Sequence, residues 1–414
     1  MKPSNFFILL LLFVAASHGV AQSANTSGSS RLEQFRAEGS EALFSLDYEA
    51  ARRTFKEIVH EFPDEALGPR MLAWTLWLET LNQSRLKQGA IYSSQSFGAT
   101  LEDKPEPKTV EEFRDFTRRA EQLARTRLQR NPHDPQTLYE LGSTETLKAS
   151  FAATAEGRYL AALRDASSGV DHEREVLKLD PGFHDAELAI GLYDYVLGSL
   201  PLSAKLVASF MGARGSRKRG LTTLERVAKD GHWERDYAKL LLMTLYKDQK
   251  RLTESLALAR ELQEEFPRNY LFKLEIADTL VSEAIEERRQ NRIAAAEALQ
   301  KEALAIFTSL LGERLTDRIR ERALSLVHFR DGEALLALGQ PENAAREFLA
   351  TMTTREAAGE LVTRAHLRAA QSFDVAGERN EALAEYRVVL TRPDVRDLQE
   401  QARRGIKETY KLAK

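Results

Sequence analysis

Four times along this chain a helix-forming run is brought to a stop by proline: Glu61-Phe62-Pro63, Arg130-Asn131-Pro132, Leu179-Asp180-Pro181 and Glu265-Phe266-Pro267. Proline has no amide hydrogen to give a helix, and its ring clashes with the preceding turn. Each tripeptide therefore marks a helix end. Pro63 and Pro132 stand about two periods of roughly 34 residues apart. A chain punctuated in this way consists of short helical units that repeat. Such units bury their apolar faces only by stacking on their neighbours, so the punctuation constrains the whole fold.

Between the stops, small and large residues recur at fixed spacing. One copy is Phe35, Gly39, Ala42, Tyr48, Ala51, Phe55 and Pro63, and a second is Ala238, Leu242, Tyr246, Leu252, Leu262 and Pro267. A third is Gly332, Leu335, Gly339, Ala344 and Phe348, and a fourth is Ala370, Phe373, Gly377, Ala382, Tyr386 and Pro393. Gly or Ala sits where two antiparallel helices cross, and large apolar groups fill the gaps beside the crossing. Gly339 and Gly377 fall at inter-helix turns, where a left-handed residue costs glycine little. The pattern resembles the tetratricopeptide repeat (TPR). The resemblance implies an all-α, TPR-type α-solenoid: antiparallel helix pairs in a right-handed superhelix, without a sheet. It also implies a chain that holds another macromolecule rather than one that catalyses a reaction.

The middle units are irregular. The helix of Leu138, Leu141 and Gly142 meets its expected partner only at Gly169 to Leu177, after an alanine-rich insertion from Lys148 to Ala166. Similar excesses separate Gly191 from Gly220 to Val227 and lie within Ile285 to Ala305. Each is expected to lengthen both helices of a hairpin. The polar stretch Ser93 to Thr109, with Pro105 and Pro107, reads as a surface loop. The segment Gly191-Leu192-Tyr193-Asp194-Tyr195-Val196-Leu197-Gly198-Ser199-Leu200-Pro201, followed by Phe210, Gly215 and Lys218-Arg219-Gly220-Leu221, carries a second resemblance. It is similar to the centre of the outer-mitochondrial-membrane and inclusion-body-clearance family of TPR proteins, which includes tetratricopeptide repeat protein 39.

The first residues read as an export signal. Lys2 precedes a continuous apolar run from Phe6 to Ala16, and Gly19-Val20-Ala21 offers small residues for cleavage. The expected organisation is a signal peptide over 1–21 and a flexible Ser/Thr/Asn/Gly lead over 22–30. A repeat array over 31–396 and a basic capping helix over 397–414 complete it. The destination is periplasmic or secreted, and a retained anchor is the alternative. The chain contains no cysteine, so disulfides, thiolate metal sites and lipid attachment at a cysteine are excluded.

The formal net charge of the 414-residue chain is -3. That balance supplies no global field to attract nucleic acid, and no nucleic-acid partner is expected. No two of the eight histidines stand at helical ligand spacing, and His172 and His184 are separated by a helix break. No catalytic, cofactor or metal motif occurs, so an enzyme with an unrecognised site between the central helices is the least favoured reading.

TPR arrays bind along the concave face, which is lined by the first helix of each pair. The repeat register places Arg36, Ser40, Tyr139, Ser143, Leu188, Leu192 and Tyr195 there, then Tyr237, Leu240, Thr244, Phe329, Glu333, Leu367 and Gln371. The candidate groove is Tyr139, Leu192, Tyr195, Tyr237, Leu240, Thr244, Phe329, Glu333, Leu367 and Gln371. It is apolar and aromatic, lacks the cationic clamp that grips a terminal carboxylate in chaperone-binding TPRs, and suits an apolar peptide or helix. The partner is expected to be a protein or peptide. The other candidate is the basic turn with Arg214, Arg217, Lys218 and Arg219, read as a solvated turn or an anion contact. The apolar stretch Tyr193 to Met211 before it reads first as a buried helix pair in the middle of the solenoid, and together with the turn it offers an alternative role as a peripheral membrane adaptor over residues 193–220.

Overall fold

The computed structural model describes residues 19–92, 104–210, 212–312, 317–354, 357–395 and 397–412. Among them every regular element is a helix and no strand occurs. The chain opens with α1 (Gly19–Phe44), α2 (Tyr48–Glu61), α3 (Leu67–Gln88), α4 (Pro107–Arg130), α5 (Pro135–Thr154) and α6 (Tyr159–Leu179). The centre holds α7 (Glu187–Ser199), α8 (Leu202–Phe210), α9 (Arg217–Asp230), α10 (Arg235–Asp248), α11 (Leu252–Glu265) and α12 (Tyr270–Arg289). The array ends with α13 (Ile293–Gly312), α14 (Asp317–Ala337), α15 (Pro341–Thr353), α16 (Gly359–Ala376), α17 (Arg379–Thr391) and α18 (Leu398–Lys407). Each helix packs on the next, except that α9 returns to α7 across the short α8. This is an all-α solenoid of antiparallel pairs.

The proline stops set the helix ends. α2, α4, α6 and α11 each finish two residues before their proline, and the Phe62 amide closes its helix on the Ile58 carbonyl at 2.8 Å. Pro107, Pro135 and Pro341 begin helices, where the missing amide hydrogen costs nothing. Pro107 was expected in a loop. Residues 93–103 of that loop lie outside the described residues, as do residues 1–18.

The crossings are tight. A Cβ on Gly39 would stand 2.2 Å from the Phe55 ring, and one on Gly332 would stand 2.8 Å from Phe348. Ala51, Ala344 and Ala382 are fully buried. Gly339 and Gly377 take the left-handed conformation, with φ of 78° and 84°.

Several expectations are corrected. Residues 22–30 lie within α1 rather than in a flexible lead, because a helix already packed from residue 31 propagates at little cost. The insertions near 148–166 and 285–305 do lengthen hairpins, giving helices of 20 and 21 residues in α5 and α6 and 20 each in α12 and α13. The insertion after Gly191 does not. It forms α8, a separate nine-residue helix. The last helix is shorter than expected, ending at Lys407.

The superhelix also closes on itself. The Phe44 ring stacks on Phe266 at 4.9 Å, Tyr92 on Phe272 at 5.5 Å, and Trp74 meets Tyr237 edge-on at 5.2 Å. Asn269 Nδ2 donates to the Phe44 carbonyl at 2.6 Å. Gly89 lies under Phe329 and Leu361. The first three helices thus seal the inner face of helices some 200 residues later in the chain.

Candidate functional site: an apolar cleft over a buried polar floor

The long hairpin α5–α6, together with α7 and α8, surrounds a partly open cavity of about 610 Å³. Its walls are apolar. Trp74 and Trp77 come from α3, Leu147 from α5, Leu163 from α6, Leu192 and Val196 from α7, and Tyr237 from α10. The space exists because facing positions are small: Ala149 and Ala153 on α5, Ala162 and Ala166 on α6, and Ala204 and Ala208 on α8. Alanine at i and i+4 clears a stripe on each helix. The mouth carries Tyr159, Leu160, Val196 and Val207, all exposed.

The deep end is polar. Arg70 Nε donates to Glu140 Oε2 at 2.6 Å, and Arg36 approaches the same carboxylate at 3.7 Å. The Arg36 guanidinium lies 3.6 Å over the Trp233 ring. Tyr139 OH donates to Glu234 at 2.6 Å. The Asp185 carboxylate accepts the amides of His232, Trp233 and Glu234 at 2.8 to 2.9 Å. These bonds satisfy groups whose burial would otherwise be costly.

Arg36 Nη1 has no hydrogen-bond partner, and Glu173 is the second exception. It is 0% exposed, and its Oε1 accepts from Ser143 Oγ at 3.1 Å. Its Oε2 has no partner. Burial pushes this carboxyl well above the usual carboxylate range. The Ser143 hydrogen bond and Arg70 pull it back, while Glu234 and Glu140 push it further. Among the described residues, Glu173 is the one cavity-lining side chain with an unsatisfied buried polar atom.

The outside of α8 is unusual. Leu202, Leu206 and Phe210, one face at i, i+4 and i+8, are 76%, 65% and 95% exposed. The helix turns its alanines toward the cavity and its large apolar groups toward water.

The expected groove is mostly core. Tyr139, Tyr195, Leu240, Thr244, Phe329, Leu367 and Gln371 are buried. Tyr139 packs on Phe183 and Trp233, Phe329 on Phe348, and Leu367 beside Tyr386. The Gln371 side chain accepts from Arg368 at 2.7 Å, and Arg368 also binds Glu333 at 2.6 Å. The reading of these side chains as an open groove is corrected: packing within the array buries Tyr139, Phe329 and Leu367, and the closure adds Gly89 against Phe329. Two of the ten residues, Leu192 and Tyr237, line the cavity, with Ser143 and Leu188 beside them.

The basic turn is not a cradle of four free cations. Arg219 Nη2 binds the buried Asp194 carboxylate at 2.7 Å, and Arg217 bonds and overlies Tyr195. A Cβ on Gly198 would lie 2.3 Å from the Arg217 amide nitrogen, so glycine lets the turn close onto α7. Arg214 and Lys218 are exposed. His172 bonds Glu145 at 3.0 Å, and among the described residues no three His, Cys, Asp or Glu side chains gather to hold a metal ion.

No family model matches the sequence, and no curated protein matches it. Among solved structures, the chain is similar to a human IFIT1 dimer with PPP-AAAA, at 12% identity over 89% of this chain and 80% of that one, with a TM-score of 0.43. It is also similar to yeast Tom70, at 11% identity over 91% and 88%, TM-score 0.33. A TPR protein from Parabacteroides merdae matches at 14% identity over 81% and 98%, TM-score 0.29. These are similarities of helical-repeat architecture and locate no site.

Proposed function

We propose that this chain is an exported TPR-type scaffold that holds a protein partner, and that the partner engages the α5–α8 cleft and the outer face of α8. The observation that carries it is the exposed row Leu202, Leu206 and Phe210 beside an apolar cavity. Covering one such side chain is worth roughly 1.5–3 kcal/mol before association costs, and a solenoid with a filled inner face has this surface left to offer. The near-neutral charge speaks against nucleic acid as the partner. Export rests on the signal-like residues 1–21, and kinship with the inclusion-body-clearance TPR family rests on Gly191 to Leu221. Both belong to this proposal.

The test is crosslinked capture from envelope fractions with the parent, Leu206→Asp and an outer-face control, Glu297→Ala. Loss of the captured partner in Leu206→Asp alone supports the scaffold, and equal capture by all three overturns it. A second reading, the peripheral membrane adaptor, draws on Lys205, Arg214 and Lys218 exposed near the same apolar row. Flotation with anionic vesicles that falls steeply with salt favours it.

A further inference from the structure

The scaffold reading concerns the outer surface. The closed interior holds a separate feature, a buried cation that the chain leaves unpaired. Three arginines are buried among the described residues: Arg36, Arg70 and Arg85. Arg36 and Arg70 share the Glu140 carboxylate. Arg85 pairs with no carboxylate of the described residues, and its Nε is enclosed without a hydrogen-bond partner. Its Nη1 and Nη2 also have no partner there, but they keep accessible surface, so the outer edge of the fork faces open space. We propose that Arg85 binds one small free carboxylate inside the closed superhelix, through Nη1 and Nη2.

The last turn of α3 carries Arg85 into the closure. The guanidinium lies 5.0 Å from the centre of the Tyr92 ring. That ring stacks on Phe272 of α12 at 5.5 Å, and its hydroxyl accepts from Asn269 Nδ2 at 3.3 Å. One turn beyond Arg85, Gly89 lies against Phe329 of α14. The cation is thus held between α3 and helices from the far half of the chain. The carboxyl end of α3 offsets part of its charge but occupies none of its side-chain donors. A guanidinium enclosed in this way costs stability unless something pairs with it.

The surroundings select the ligand. Tyr48, Tyr92 and Tyr237 lie within the field of Arg85. Burial raises the pKa of each hydroxyl and Arg85 only partly opposes it, so all three keep their protons and remain donors. The Tyr48 and Tyr237 hydroxyls have no hydrogen-bond partner among the described residues. The carboxylates that act on these rings, Glu79, Glu275 and Glu234, are held by Arg52, Lys247 and Tyr139. Donors therefore gather around Arg85 and no acceptor is left for them, which is the setting of an anion. One guanidinium balances one charge, and a dianion would bring a second, unbalanced charge out of water. The planar fork matches the two oxygens of a carboxylate. Arg85 is 8% exposed, which suits a small molecule rather than a polypeptide.

The test is calorimetric titration of the full chain at constant ionic strength. The probes are acetate, chloride, sulfate, acetamide and an alanine peptide with a free C terminus. The parent is expected to bind acetate at one site, more tightly than chloride or sulfate, with no heat from acetamide. Bound acetate raises the thermal midpoint. Arg85→Met, which keeps the length and removes the fork, weakens acetate by roughly tenfold or more, the scale of a charge-assisted hydrogen bond. Arg85→Lys keeps the charge and loses the fork, so it binds acetate no better than chloride. No acetate heat in the parent, sulfate binding as tight as acetate, or an unchanged acetate affinity in Arg85→Met overturns the proposal. If Arg85→Met fails to fold, Arg85→Lys decides, and an undiminished preference for acetate over chloride overturns it. An alanine peptide that binds more tightly than acetate also overturns it, making this a site for a chain terminus.

Discussion

Asp331 on α14 is buried with one carboxylate oxygen unpartnered. Burial, with repulsion from Glu347 and a smaller opposing pull from His328, raises its pKa to about 7. Unfolded, the same group releases its proton near about 4. Between these values the folded chain binds more protons, so this group's contribution to stability falls as pH rises through the window. Asp331→Asn removes the fall. In urea melts it is expected to match the parent near pH 5 and to exceed it by about 1–3 kcal/mol at pH 8. Lys250 shows strain of a different origin. It ends α10 with φ of 58°, and the Arg251 amide closes on the Tyr246 carbonyl at 2.9 Å. This is the turn that Gly339 makes after α14, where the Gln340 amide closes on Leu335 at 2.9 Å. Lys250→Gly should therefore gain roughly 0.5–1 kcal/mol, read as a higher thermal midpoint.

Among the elements, the helix pairs depend on what their crossings leave out. Ala344 is fully buried and Gly332 lies under the Phe348 ring. Ala344→Leu should overfill the α14–α15 contact and cost about 1–3 kcal/mol in thermal melts, and a melt equal to the parent's would contradict that register. These crossings were legible in the sequence because steric exclusion acts within one hairpin, so it leaves its mark at a fixed spacing. The proline stops were legible for the same reason. α8 was not. Its apolar residues read as part of a buried pair, and only the third dimension shows Ala204 and Ala208 inward and Phe210 in water. The cavity did have a local trace, alanine at i and i+4 on both α5 and α6, but the trace registers there as extra hairpin length.

For the molecule as a whole, the site moves because the solenoid closes. Large apolar residues on the inner helices look the same in sequence whether they line an open groove or a sealed core. What decides between the two is contact between helices some 200 residues apart, which leaves no period to read. Phe44 on Phe266 and Asn269 on the Phe44 carbonyl are such contacts. They leave the α5–α8 cleft as an open apolar surface, the one proposed above to meet a partner. A chain without cysteine allows a direct test. Glu41 and Arg268 are both exposed and form an ion pair at 3.3 Å across the closure. In a Glu41→Cys, Arg268→Cys variant treated with a bismaleimide as long as the Glu–Arg side-chain pair it replaces, a closed solenoid is crosslinked within the monomer, and the crosslinked protein unfolds at a higher temperature than the untreated variant. Two cysteines that each take up a separate maleimide without being joined would show an open superhelix, and with it a concave groove free to bind.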